Sequence, residues 1–324
     1  MERYVAGKTT KANMKPPKIS ICIPVYKRAE HVERLLRSIR NQTFKDFEVV
    51  VSDDSPDETI SSMLKQYGDL RIIYFRNSPS LGTPANWNFA ISKASGEWIK
   101  LMHDDDWFAD QDSLRIFVKA TNSGKQFIFS AFTNIFESGE KQQHLFPLAW
   151  EKRIIKNPLS LMAKNVIGPP SVTMVHHSIK EQYDIFMKWR VDIDFYIRVL
   201  KKERSFSVIN KPLINVGIGA SQVTNDCFNV AEIELPEALL MLKKYGLRPL
   251  ESIVVYDAWW RMLRNLEIRE KEDLHKHTGN DQWPRVIMNM VSHQSYLPLG
   301  LLKIGFFSKP FMFISYLINR KYLK

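Results

Sequence analysis

Three consecutive carboxylates, Asp104, Asp105 and Asp106, lie between His103 and Trp107 and directly follow the strand-like run Glu97-Trp98-Ile99-Lys100-Leu101-Met102. A strand that ends in clustered acids puts them outside the carboxyl end of a sheet, where ligands commonly dock. Adjacent carboxylates repel one another, and a divalent cation among them relieves the repulsion. Mg²⁺ and Mn²⁺ suit such a loop, because hard cations take oxygen ligands and share a carboxylate or two with substrate phosphates. The competing reading is a solvated acidic turn that caps the helix signalled by Asp112-Ser113-Leu114-Arg115-Ile116-Phe117, since Asp is a common N-cap. Two further acid pairs stand out. Asp53-Asp54 ends the strand-like Phe47-Glu48-Val49-Val50-Val51, and Asp192 and Asp194 open a helical segment from Val191 to Lys201.

The elements that must position these acids alternate along the first half of the chain. Ile19 to Val25 reads as a buried strand, and Ala29 to Arg40 carries Val32, Leu35, Leu36 and Ile39 at helical spacing. After the strand at 47–51 come a helix around Glu58 to Tyr67, a strand at Leu70 to Phe75, a helix at Ala85 to Lys93 and the strand before the acid triplet. Such alternation predicts an α/β fold, a mostly parallel sheet flanked by helices. From about Phe127 the pattern is less regular. Gly168-Pro169-Pro170-Ser171 marks a loop, Val172 to Val175 a short strand and Ser205 to Ile209 another. After Ala231 a C-terminal helical extension is expected, clearest at Leu235 to Tyr245 and Ile253 to Leu266.

With 324 residues and 44% hydrophobic content, the chain is long enough for one large α/β domain with elaborations or for two domains. Cys22 and Cys227 form no Cys-x-x-Cys pair, so a disulfide framework is not indicated and a reducing, cytoplasmic setting fits. Met1 to Lys18 is polar, without the apolar stretch of a signal peptide. The formal charge is +11, and from Gln282 to Lys324 there are six basic residues and no acid. Those bases alternate with Leu301-Leu302, Phe306-Phe307, Phe311-Met312-Phe313 and Tyr316-Leu317. The mixture points to peripheral contact with an anionic membrane, not to nucleic acid, and the alternative is a helix packed on the core with a basic outer face. Lys303 and Lys309 interrupt the segment Tyr296 to Ile318, which falls short of the roughly 18 to 20 apolar residues a spanning helix needs. No Gly-x-Gly-x-x-Gly follows the first strand and no P-loop is present, so any nucleotide is held in another way.

In order along the chain, several segments resemble the family 2 nucleotide-sugar glycosyltransferases. Ile21-Cys22-Ile23-Pro24-Val25-Tyr26-Lys27-Arg28 is similar to the family's opening strand and turn, and Asn41 to Ser55 to its helix-to-strand segment with nucleotide-binding acids. Gly82, Asn88 and Ala94-Ser95-Gly96-Glu97-Trp98-Ile99 match the run into the Asp-x-Asp loop, and Val191 to Arg198 the segment with the catalytic base. The likeness covers residues 18 to 222. It implies a GT-A fold divided into a basic tail at 1–17, a nucleotide-sugar half at 18–122, an acceptor and base half at 123–222 and the helical region at 223–324. Two departures stand out: His103 occupies a place where the family commonly has Asp, and Trp87 one where many relatives have Arg.

The resemblance implies an inverting transfer from a UDP-linked sugar to a glycan or lipid-linked acceptor in bacterial surface polysaccharide synthesis. It implies donor contacts at Pro24, Tyr26, Arg28, Asp53, Asp54, Asn88, Asp104 and Asp105, with Mn²⁺ or Mg²⁺ on Asp106 and Asp104. Ser171 and Trp189 would shape the acceptor site. Tyr26 offers an aromatic face to a base, and Asp53 and Asp54 can accept from ring N–H groups or ribose hydroxyls. On a helix Asp192 and Asp194 cannot face the same way. Asp194 stands four residues before Arg198, an ion-pair spacing, whereas Asp192 has no such basic residue and takes the position of the family's base. The other readings are a sugar-1-phosphate nucleotidyltransferase, which would carry a Gly-rich loop after the first strand, and an inactive transferase-like binding protein.

Overall fold

A computed structural model describes residues 2–6, 15–219, 227–280 and 282–323. The expected boundary at 222/223 therefore lies outside the described residues, as do residues 7–14 of the expected tail. Among the described residues ten strands join one sheet: β1 (Glu2–Ala6), β2 (Ile19–Val25), β3 (Phe47–Asp53), β4 (Ile72–Arg76), β5 (Trp98–Leu101), β6 (Trp107–Phe108), β7 (Phe127–Phe136), β8 (Lys141–His144), β9 (Thr173–His176) and β10 (Ser207–Ile218). Their order is β1-β4-β3-β2-β5-β9-β7-β10-β6, with β8 paired to β7. The strands β4, β3, β2 and β5 run parallel, as expected, and β7 is parallel to β10. Antiparallel pairing enters through β9, inserted between β5 and β7, and through β1, β6 and β8. Part of the polar tail thus forms an edge strand beside β4.

Every residue of β2 and β3 is buried, which explains their near-continuous apolar sequence in place of a strict alternation. Helix α1 (Ala29–Arg40) buries Val32, Leu35, Leu36 and Ile39, each contributing about 1.5–3 kcal/mol by leaving water. Glu48 of β3 is fully buried, with hydrogen bonds to one carboxylate oxygen and an ion pair at the other. It accepts from Ser20 Oγ at 2.7 Å and from the Ser95 amide at 2.8 Å, and Arg71 stands 3.2 Å away. These ties fix the turn that launches β5.

The chain forms two compact units. The first comprises Met1–Lys156, Val166–Phe186 and Phe195–Ala220; the second comprises Asn157–Asn165, Met187–Asp194 and Ser221–Lys324. No unit boundary falls at 122/123, because β7 and β10 extend the sheet that β2 to β5 begin. The second unit is helical, and its helices include Ala231–Tyr245, Ile253–Asn265, Arg285–Ser295 and Gly305–Asn319. No helix among the described residues is long and apolar enough to cross a membrane.

Candidate active site

In the first unit, the parallel register aligns Val25 of β2 with Asp53 of β3 and Cys22 with Leu101 of β5. The three strands therefore release Tyr26 to Arg28, Asp54 and the acid loop from one edge of the sheet, the edge where α/β folds receive ligands. Lys27 and Arg28 both take left-handed backbone angles, φ 60° and 51°, at a cost of about 1–3 kcal/mol each for residues with a Cβ. The turn delivers the Arg28 guanidinium to the acid loop, 2.8 Å from Asp104 Oδ1 and 3.4 Å from Asp105 Oδ2. Arg34 of α1 donates to the Asp105 carbonyl at 2.8 Å and stacks 3.9 Å from the Trp107 ring.

The loop itself is clamped at both ends. β5 precedes it, and β6 after it pairs with Ile214 and Asn215 of β10. Gly217 of β10 donates its N–H to Asp106 Oδ1 at 3.2 Å, so close that a Cβ there would stand 2.5 Å from the Asp105 carbonyl oxygen. Ser171 Oγ accepts from the His103 amide at 2.9 Å. Beneath the loop, the fully buried Lys100 ammonium donates to the Ser171 carbonyl, lies 4.9 Å from the Phe117 ring and feels the charge of Asp106. Burial lowers its pKa to about 7.

Ligand-type atoms of His103, Asp105 and Asp106 all lie within 4.8 Å of one another. His103 Nε2 and Asp104 Oδ2 are buried with no hydrogen-bond partner. Burial, reinforced by Asp105, pushes Asp104 up to about 7 against the pull of Arg28, and the same causes raise Asp106. Burial pushes His103 down to about 4, so its imidazole is neutral at pH 7 and able to ligate. Two carboxylates with a neutral imidazole fit a divalent cation such as Mn²⁺. Of the expected pair, Asp106 and Asp104, only Asp106 belongs to the cluster. Asp104 faces Arg28, while His103, which also packs 4.6 Å from the Trp87 ring, stands with Asp105 and Asp106.

The other expected donor-side residues lie along the same edge. Tyr26 is 52% exposed, and Pro24 is buried at the end of β2. Asp53 accepts from the Ser55 amide and the Tyr74 hydroxyl, both at 2.8 Å, and burial raises its pKa. Asp54 accepts from Asn77, from the Leu81 amide and from the Gly82 amide at 2.8 Å, and so holds the loop before α2 (Ala85–Ser92). Each of these four carboxylate oxygens already serves the fold. Asn88 likewise exchanges two 2.8 Å bonds with the backbone of Tyr183. Ser171 has no exposed surface, and its hydroxyl supports the acid loop where an acceptor contact was expected.

In the second unit, Asp192 and Trp189 line a cavity of about 380 Å³ whose walls also include Asn165, Arg190, Phe228 and Trp259. Asp192 belongs to the first turn of α3 (Val191–Glu203). Its Oδ2 accepts from Asn165 and its Oδ1 from the Ile193 amide, each at 2.7 Å. Burial, with a smaller push from Glu237, raises its pKa to about 7. Glu237, from the helix Ala231–Tyr245, accepts from the amides of Lys188 at 2.6 Å, Trp189 at 3.1 Å and Arg190 at 2.7 Å. A carboxylate on those amides, which no helical carbonyl serves, also suits the positive end of α3. Asp194 is fully buried and accepts from Lys244 Nζ at 3.0 Å and Tyr245 Oη at 2.8 Å. Its burial makes it more than the weak surface partner that its spacing to Arg198 suggests, and Arg198 also donates to Glu181 at 2.7 Å.

Lys100, Asn165 and Glu237 carry roles the sequence did not announce, and of these only Lys100 left a signal, as a charge in the middle of a buried strand; His103 was marked as a departure from the family's Asp.

A family model described as glycosyl transferase family 2 matches residues 20–182, half of the chain. The chain belongs to glycosyl transferase family 2. The chain is 34% identical over 116 residues to a Campylobacter jejuni GalNAc(5)-diNAcBac-PP-undecaprenol beta-1,3-glucosyltransferase, covering 35% of this chain and 37% of that protein. It is 41% identical over 104 residues to an abequosyltransferase of Salmonella typhimurium, covering 30% of this chain and 31% of that protein. The match thus spans about a third of the length of each relative. Among solved structures, S. aureus TarS in complex with UDP-GlcNAc has a TM-score of 0.58 at 16% identity, covering 86% of this chain and 90% of that one. A Pyrobaculum calidifontis mannosyltransferase in complex with GDP-Man and Mn²⁺ has a TM-score of 0.54 at 12% identity, covering 95% and 88%. At those identities the likeness bears on the fold, which is of the GT-A type.

Proposed function

We propose that this family 2 glycosyltransferase is a metal-dependent, inverting hexosyltransferase that moves a sugar from a UDP-linked donor to a hydroxyl of a glycan, free or lipid-linked. It would work in bacterial surface polysaccharide synthesis, peripherally on the inner face of the cell membrane. The observation that carries the reading is the cluster of His103, Asp105 and Asp106 at the carboxyl ends of the parallel strands. The Campylobacter relative supports the acceptor class, since its name describes transfer to a glycan linked to undecaprenol diphosphate, and the Salmonella relative, an abequosyltransferase by name, supports sugar transfer. TarS with UDP-GlcNAc supports a UDP donor, and the Pyrobaculum enzyme with Mn²⁺ supports the metal.

Chemically, the acceptor hydroxyl oxygen attacks the anomeric carbon from the face opposite the diphosphate. The bond to the diphosphate oxygen breaks, the nucleoside diphosphate departs with that electron pair, and the configuration inverts. Asp105, Asp106 and His103 would hold a divalent cation, which when bound would neutralise charge growing on the leaving group. Asp192 accepts the proton of the hydroxyl, and a pKa of about 7 suits a base at neutral pH. Asn165 and the Ile193 amide orient its two oxygens. Trp189 and Phe228, with ring centroids 6.0 Å apart, offer aromatic faces to a sugar. Tyr26 presents its exposed ring to the nucleobase.

Thermal melting with a panel of nucleotide sugars, with and without Mn²⁺, tests the reading, because ligands that bind the native state raise its melting temperature. A UDP-sugar should raise it only when Mn²⁺ is present, and slow donor hydrolysis should follow. No shift with any donor, or shifts indifferent to Mn²⁺, would sink the proposal.

A further inference from the structure

The helix Gly305–Asn319 is built inside out. The face turned to the rest of the second unit consists of Ser308, Met312, Ser315 and Asn319, and hydrogen bonds hold it there. Trp260 Nε1 donates to Ser308 Oγ at 3.0 Å, Tyr256 and His293 meet Ser315 Oγ at 2.6 and 2.7 Å, and Asn289 donates to Asn319 at 2.7 Å. The opposite face is apolar. At 100° per residue, Phe306, Phe307, Phe311, Phe313, Ile314 and Leu317 share one arc of roughly 160°, and all are exposed, Phe306 by 81% and Ile314 by 54%. A helix on a water-soluble surface normally shows the reverse arrangement, as α1 does.

We propose that this outward face docks on an anionic lipid bilayer, lying in the plane of the interface. Length decides against spanning. Fifteen residues reach only about 22 Å at 1.5 Å each, against a hydrocarbon core of about 30 Å. Charge decides the kind of surface. Lys309 and Arg320 border the apolar arc, Lys321 follows the helix, and no acid occurs from Gln282 to Lys324. Basic side chains around an apolar face are the composition of an interfacial helix on anionic lipid. A second copy of the chain is disfavoured as occupant, because pairing the two apolar faces would bring like-charged rims together. The inference deepens the reading of a lipid-linked acceptor and rests on it for its purpose, although lipid binding can be read separately from catalysis.

Vesicle flotation of the full chain tests it, using phosphatidylcholine alone and phosphatidylcholine mixed with phosphatidylglycerol. The parent should float with the anionic vesicles, less with neutral ones and less at high salt. The triple variant Phe306→Asp, Ile314→Asp, Leu317→Asp changes only exposed positions and should lose at least about tenfold in partitioning, while its melting curve and donor hydrolysis stay those of the parent. Lys309→Glu with Arg320→Glu should remove the preference for anionic lipid. Equal flotation of parent and triple variant would overturn the proposal. So would a parent that ignores vesicles and sediments as a dimer that the triple variant dissolves, since the occupant would then be a second copy. Loss of donor hydrolysis in the parent itself would count against the enzymatic reading and leave the flotation result intact.

Discussion

Carboxylates in the two units are held in opposite ways. In the first unit Asp53 and Asp54 give their oxygens to amides, a phenol and an asparagine, Asp104 faces Arg28, and Asp105 and Asp106 crowd against His103. In the second, Asp192 borders a cavity and keeps one side-chain amide and one backbone amide as partners. One arrangement concentrates negative charge that a cation can neutralise; the other leaves a single acid poorly solvated and therefore basic. The same residue type becomes a ligand or a proton acceptor according to what surrounds it.

The contrast breaks most readily at Asp192. Asp192→Asn should lower turnover by about 10² to 10⁴ and leave donor and Mn²⁺ affinity nearly unchanged, which steady-state rates and calorimetry would resolve. A variant with near-parental turnover would end the distinction between the two sites. Asp106→Asn should instead lose Mn²⁺-dependent donor binding together with about a hundredfold or more in turnover, several kcal/mol of charge stabilisation being at stake. Undiminished metal dependence in that variant would remove Asp106 from the cluster.

Acidity sharpens the comparison further. Turnover should fall as pH drops through about 7, because Asp192 then takes up a proton, losing about tenfold per pH unit below that point. The stability effect has the opposite sense. The folded-state pKa of Asp192 is raised above 3.8, so its favourable contribution is complete below that value and is lost as pH rises through about 7. Asp192→Asn should therefore melt no lower than the parent at pH 8, although it is the weaker catalyst. Asp194→Asn should do the reverse. It weakens buried bonds to Lys244 and Tyr245 and should cost about 1–3 kcal/mol, read as a lower melting temperature at near-parental turnover. If Asp194→Asn is instead the inactive variant, the two acids have exchanged roles.

Much of this was legible from periodicity. The strand at Ile19–Val25 and the helix at Ala29–Arg40 fall where apolar spacing puts them, because both elements are buried along their full apolar face. The acid loop was legible because a strand end fixes where it emerges. Less could be read beyond Phe127, where the ten-residue β7 and its partner β8 carry no clean alternation, since β7 is buried at one end and half-buried at the other. His103 and Lys100 escaped for a different reason. Their roles depend on Trp87, Ser171 and Phe117, neighbours that only the folded sheet supplies. The burial of Asp194 escaped likewise, because Lys244 and Tyr245 are some fifty positions away along the chain.

Gly217, pressed against the Asp105 carbonyl with its amide on Asp106, restricts how this chain can drift. Any side chain larger than hydrogen would enter the space of a backbone oxygen that cannot move without opening the acid loop. Scored for activity, a library of all substitutions at this position should return glycine and little else. Isolates that escape should carry a second change in the loop at 102–106, so that two places about 110 residues apart in the chain would be inherited as one.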